Sequence, residues 1–161
     1  MKTDQLLKPD APILQVQVAT DNEVTDWLRA QEQSHKLRIV ARAIRGAKCG
    51  TRAAFFSEIG AACQLPHYFG ENWDALFDSM SDLQGDDFVV YVLVVRHAVR
   101  LLDQEPGKEL KAFAEVMTRT GQSWANSSGK RPASVFRVIL HALAGEETKL
   151  RARMKEAGVV V

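Results

Sequence analysis

The sequence predicts an α/β fold, a small and mostly parallel β-sheet packed with helices. Three observations predict it. Segments with strand periodicity alternate with segments of helical periodicity from residue 13 to the end of the sequence, and the connections are long enough for the crossovers that parallel pairing needs. Residues 88–95 (FVVYVLVV) are an unbroken β-branched and aromatic run, the composition of a strand covered on both faces. With 161 residues, 46% of them hydrophobic, the chain can bury one sizeable core but not two.

The elements follow in order. Residues 1–12 carry Pro9 and Pro12 without periodicity and read as a flexible leader. Residues 13–19 (ILQVQVA) alternate apolar and polar as a half-buried strand does, and Thr20 with Glu23 matches a capping box opening a helix that turns Val24, Trp27 and Leu28 inward. Together, residues 1–36 form an N-terminal extension. Residues 37–44 are a second strand, ended by Gly46 and Gly50. Thr51 then caps a helix reaching residue 64, with Phe55, Ile59 and Ala62 or Cys63 on one face. Next comes the 65–83 stretch, then a Gln84-Gly-Asp-Asp turn into the central strand at 88–95. After the Glu105-Pro-Gly break, Leu110, Phe113, Ala114 and Met117 give a helix ending near Gly121. Residues 126–132 are a loop and 135–141 a strand. A final helix over 146–157 has acids in its first turn, bases in its last, and Gly158 as its stop.

Composition excludes several classes of function. The longest uncharged apolar run is far short of the roughly 20 residues that span a bilayer, so no membrane role is expected. The first ten residues lack the apolar core and cleavage site of a secretory signal, and a cytoplasmic location is the expectation. Cys49 and Cys63 lack metal-ligand spacing and are expected as reduced thiols, one in the core and one in a turn. His35, His67, His97 and His141 are scattered and none lies three or four residues from another His, and a metal role is not expected of them. A calcium loop, a P-loop, a dinucleotide-binding glycine pattern and a nucleophile elbow are all missing. No cofactor and no catalytic residue is predicted.

Charge is informative through its distribution. The formal net charge is only +1. Yet no Lys or Arg occurs between Ala53 and Val95, a span holding Glu58, Glu71, Asp74, Asp78, Asp82, Asp86 and Asp87, while Arg29, Lys36, Arg38, Arg42, Arg45, Lys48 and Arg52 precede it. Such asymmetry makes a directed field even when the total is near zero.

The 65–83 stretch concentrates the functional signal. A Pro/Gly-marked turn runs into a helix that Asn72 is suited to cap, with Asp74 in the first turn where the helix dipole favours an anion. Trp73, Leu76, Phe77, Met80 and Leu83 form one apolar stripe, while Asp74, Asp78, Ser81 and Asp82 fall on the other side. Phe77 sits at the border, where its ring can pack at one edge and meet a ligand at the other. Like charges four residues apart destabilise a helix by about 0.2–0.5 kcal/mol per pair, and Asp74, Asp78 and Asp82 stack two such pairs with no base nearby in sequence. An unpaired acidic face suits a basic protein surface. It does not suit glycoside hydrolysis, because adjacent turns of one exposed helix supply neither a cleft nor divergent acidities.

The residues Leu65-Pro-His-Tyr-Phe-Gly-Glu-Asn-Trp-Asp-Ala-Leu-Phe-Asp78 carry a resemblance. Their pattern, Tyr-aromatic-Gly-x-Asn-x-Asp-Ala-Leu-aromatic-Asp, resembles the barstar family of ribonuclease inhibitors. The resemblance extends more loosely over residues 37–142, and implies a three-stranded parallel core there, with 1–36 as the extension and 143–161 as a C-terminal helix and tail. It implies a cytoplasmic, non-enzymatic immunity-type protein that plugs the active site of a basic ribonuclease or nuclease toxin. Its contact positions map onto Tyr68, Gly70, Asn72, Asp74, Phe77 and Asp78, and Asp82 extends the acidic face. Asp78 becomes the central anion, Asp74 its support, and Tyr68 the cover of a histidine in the enzyme. Phe77 stands where the best-known member has Trp, and Asp82-Leu83 where it has Gly-Trp. Glu105 and Glu109 are the candidates for the acid that the family's third helix contributes.

The alternative is an adaptor of the same fold that binds another basic protein, or touches nucleic acid through Arg38, Arg42, Arg45, Lys48 and Arg52. Nucleic acid is not the expected partner, because bases alternating on a strand need aromatic neighbours for stacking and Phe55 and Phe56 read as core. A monomer is the expected state.

Overall fold

A computed structural model describes residues 8, 11–33, 39–84, 89–126 and 132–161. The leader (except Lys8, Ala11 and Pro12), His35, Lys36, Leu37, Arg38, Asp86, Asp87, Phe88 and most of the 126–132 loop lie outside the described residues. Four strands, β1 (Leu14–Val18), β2 (Ile39–Arg45), β3 (Val90–Arg96) and β4 (Val135–Ala142), form one parallel sheet in the order β1-β4-β3-β2. The helices are α1 (Asp21–Glu32), α2 (Arg52–Cys63), α3 (Trp73–Asp82), α4 (Gly107–Ala125) and α5 (Glu147–Glu156). The mixed α/β prediction holds, with one strand more in the sheet than the three-stranded core. The predicted N-terminal strand pairs with β4, Leu14 beside Val138 through Val18 beside Ala142.

The pleat explains the apolar run. Successive β3 side chains point to opposite faces. Leu93 and Val95 join the large core under α2, α3, α4 and α5, whereas Val90, Val92 and Val94 join a smaller cluster under α1 with Val24, Trp27 and Ile139. Every β3 residue except the terminal Arg96 is buried, because β3 is internal to the sheet and covered on both faces. The α1 helix starts as its sequence directs: Thr20 accepts from the Glu23 backbone N–H at 3.3 Å, and the Glu23 carboxylate accepts from the Thr20 N–H at 2.7 Å.

Two glycines record close approaches. A Cβ on Gly46 would stand 2.4 Å from the His97 carbonyl oxygen, so the chain leaving β2 can cross the end of β3 only without a side chain. The other is Gly121, and here the sequence expectation is corrected. The helix does not end near Gly121 but runs on to Ala125. Gly121 is a packing site instead, since a Cβ there would lie 2.7–2.9 Å from three side-chain atoms of Ile13. Both cysteines are buried and free; Cys63 lies in α2 and Cys49 ends a 3₁₀ turn after β2. Burial pushes their thiols up to about 12 for Cys49 and about 11 for Cys63.

Candidate partner-binding helix

The site is built on α3 and the loop before it. Gln64 ends α2 in the left-handed conformation (φ 54°), and the Leu65 N–H returns to the Gly60 carbonyl at 2.9 Å. Phe69 folds back onto α2, edge-on to Phe56 with centroids 6.0 Å apart, and this leaves Tyr68 pointing outward, 75% exposed. Glu71 takes a positive φ of 48° just before the cap. Asn72 then uses both ends of its amide: Oδ1 accepts from the Ala75 N–H at 2.9 Å, and Nδ2 donates to the Gly70 carbonyl at 3.1 Å. A Cβ on Gly70 would sit 3.1 Å from that Nδ2. Gly70 and Asn72 therefore shape the entry to the helix.

Two indole hydrogen bonds pin α3 against α4. Trp73, at the start of α3, donates to Glu109 Oε2 at 2.9 Å, and Trp124, near the end of α4, donates to the Met80 carbonyl at 3.1 Å. The second bond satisfies a carbonyl of the last turn, which has no partner inside its own helix. Beneath, Leu76 and Met80 are fully buried, while Trp73, Phe77 and Leu83 are half-buried. Trp73 packs tilted against Phe55 at 5.4 Å and edge-on to Phe56 at 4.8 Å, and both phenylalanines are buried in the core.

Asp74, Asp78 and Asp82 all face solvent, and none makes a hydrogen bond or ion pair among the described residues. Asp82 is unfavourably placed, an anion in a last turn that contains no base, where the dipole favours cations. Ser81 does not share this face as expected. It lies about 20° from Asp74 around the helix but also only about 40° from Phe77 on the packed side, and at that border its hydroxyl is buried and without a hydrogen-bond partner among the described residues.

The tertiary structure also brings in side chains that sequence distance concealed. Arg119 of α4 lies over the Phe77 ring, its Cζ 4.2 Å from the centroid, so one face of the ring is covered by a cation. Glu109 is engaged by Trp73 and lies 3.8 Å from Arg52, with its side chain only 12% exposed, and Glu105 accepts from the Arg52 backbone N–H at 2.8 Å. Both candidate acids before and on α4 thus have internal partners. Of the bases before α3, Arg45 makes a bidentate pair with Glu58 at 2.7 and 2.8 Å, and this hydrogen bonding holds the Glu58 carboxyl below its ordinary range against the opposing effect of burial. A second cluster forms at the carboxyl ends of the strands. The His97 ring nitrogens lie 3.2 Å from Asp21 and 3.3 Å from Glu146, and His141 stands edge-on to it at 5.3 Å. Arg96 hydrogen-bonds Asp21 at 2.6 Å and holds its carboxyl below the usual range. These groups tie α1 and the start of α5 to the sheet. No group of three or more His, Cys, Asp or Glu could hold a metal ion among the described residues. No helix among them is long and apolar enough to cross a membrane.

The α3 helix thus presents on an α/β scaffold carboxylates without partners among the described residues, with an exposed aromatic beside them, a candidate protein-binding face. The family model for Barstar (barnase inhibitor) matches residues 39–141, well over half of the chain, and the protein belongs to that family. No curated protein matches it.

Proposed function

We propose that this protein inhibits a cationic, barnase-type ribonuclease by setting the acidic face of α3 into the enzyme's RNA-binding site. The observation that carries the reading is the set of three exposed aspartates, Asp74, Asp78 and Asp82, without partners among the described residues on a helix fixed at both ends. Membership of a family described as barnase inhibitors supports it. RNA phosphates are held by basic groups, and carboxylates fixed at phosphate-like positions meet the same groups without offering a bond to cleave. Asp78, central on the face, is the principal anion and Asp74 its support. Tyr68 covers the flank of the enzyme's site, while Gly70 and Asn72 act by shaping the loop. Binding needs no cofactor, and the cytoplasm, where an immunity-type protein protects its own cell, is the compartment that goes with this role.

The test is titration of the protein into barnase with a fluorogenic RNA substrate. Cleavage should fall to the background near one equivalent, and Asp78→Ala should shift the curve to much higher concentration. An unaltered rate at tenfold excess would refute the reading. Of the bases that the nucleic-acid alternative would use, Arg45 pairs with Glu58 and Arg52 lies 3.8 Å from Glu109, while Arg38 lies outside the described residues.

A further inference from the structure

The acidic face is not bordered by acid all round. Arg119 is exposed and makes no ion pair among the described residues, although it lies against Phe77, the residue next to Asp78. A guanidinium is planar and weakly hydrated, and one stacked on a ring keeps its edge N–H groups free to donate in the plane. Here the ring takes one face of the group and leaves those donors to solvent. Two consequences follow for a docking partner. Its arginines cannot stack on the face of Phe77 that Arg119 covers, and what meets this spot must accept hydrogen bonds. Away from α3, Lys111 is paired with Glu115 at 3.8 Å, so Arg119 is the unpaired base where these three residues border an apolar groove of about 460 Å³ between α4, Ile13–Leu14 and Val159–Val160, among the described residues.

We infer that the partner-binding surface is two-signed, and that Arg119 is a specificity-determining residue that pairs with a carboxylate on the rim of the ribonuclease's active site. The inference rests on the ribonuclease-inhibitor reading and narrows it to enzymes whose basic cleft has an acidic edge. A near-neutral inhibitor gains discrimination this way. A nuclease with basic groups all round its cleft would bring like charge against Arg119, and such juxtaposition opposes association.

Barnase is the probe, with each Asp and Glu around its RNA-binding cleft changed in turn to the amide. Binding is measured by calorimetry against the wild-type chain, Asp78→Ala, Arg119→Lys and Arg119→Met; the last keeps an apolar stem over Phe77 but removes the donors and the charge. Arg119→Met should weaken binding tenfold or more and Arg119→Lys less. One amide variant of barnase should weaken binding to the wild type equally, yet cost nothing further against Arg119→Met. If Arg119→Met binds within twofold of wild type while Asp78→Ala is weakened, this inference is overturned and the inhibitor reading stands. A loss with Arg119→Met that is additive with every barnase carboxylate also overturns it, because Arg119 would then act only by holding Phe77. If barnase is not bound, or Asp78→Ala changes nothing, the inhibitor reading falls and takes the inference with it.

Discussion

Replacing Asp78 by alanine should make the free protein more stable while making it a worse inhibitor. The carboxylate has no partner among the described residues, and it stands four residues from Asp74 on one side and from Asp82 on the other. Removing it deletes two like-charge contacts worth about 0.2–0.5 kcal/mol each and replaces a poor helix former with the best one. The expected gain is about 1 kcal/mol, which for a chain of this size raises the melting temperature by about 2–4 °C. Part of that gain is electrostatic and should shrink in 1 M salt, where the screening length falls to about 3 Å. Binding should move the other way. Truncating one side of a buried, hydrogen-bonded charge pair costs about 2–5 kcal/mol, a range that leans on the barnase–barstar pair itself and is carried here as a prior. Urea unfolding of the free variant and calorimetric titration with barnase read the two effects separately. A lower melting temperature would mean that Asp78 has an internal role, and unchanged affinity would mean that charge mimicry is the wrong mechanism.

The Glu109 carboxylate should matter to folding more than to binding, because it is engaged by the Trp73 indole. Glu109→Ala leaves a partly buried N–H unpaired and should cost about 1–3 kcal/mol by urea unfolding, whereas Glu109→Gln, which keeps an acceptor, should cost less; equal losses would show that the indole bond is not what matters. Glu58 is ionised more easily in the folded than in the unfolded chain, so its contribution is present above about 4.5 and is lost as pH falls through the lowered folded value. Glu58→Gln should therefore flatten the acid limb of the stability–pH curve, and an unchanged limb would contradict the assignment. With both thiols buried and pushed up to about 12 and about 11, alkylation by iodoacetamide at pH 8 should proceed only through unfolding; rapid modification of the native protein would count against the packing of Cys49 and Cys63. Association with barnase should slow as salt is added, since the acidic face steers the encounter, and a salt-independent on-rate would argue against steering.

Much of the site was legible because its signals are local. The Asn72 cap, the apolar stripe of α3 and the spacing of Asp74, Asp78 and Asp82 depend on residues within one or two helical turns, and helical geometry converts that spacing directly into faces. The α/β class was legible for the same reason, as each strand and helix announces itself by its own period. Errors arose where the deciding contact came from far along the chain. Gly121 resembles a helix stop until Ile13, 108 residues earlier, is found packed against it.

The sequence by itself determined the elements, the acidic face and the family motif, since these follow from short-range backbone geometry and side-chain chemistry. Only the tertiary structure decided what surrounds them. It joined the N-terminal strand to the sheet, gave Glu109 to Trp73, and laid Arg119, 42 residues beyond Phe77, on the aromatic ring beside the central aspartate. The physical reason is that pairing and packing are settled by which surfaces the folded chain brings together, and nothing in the local pattern around residue 77 specifies the cation that arrives from α4.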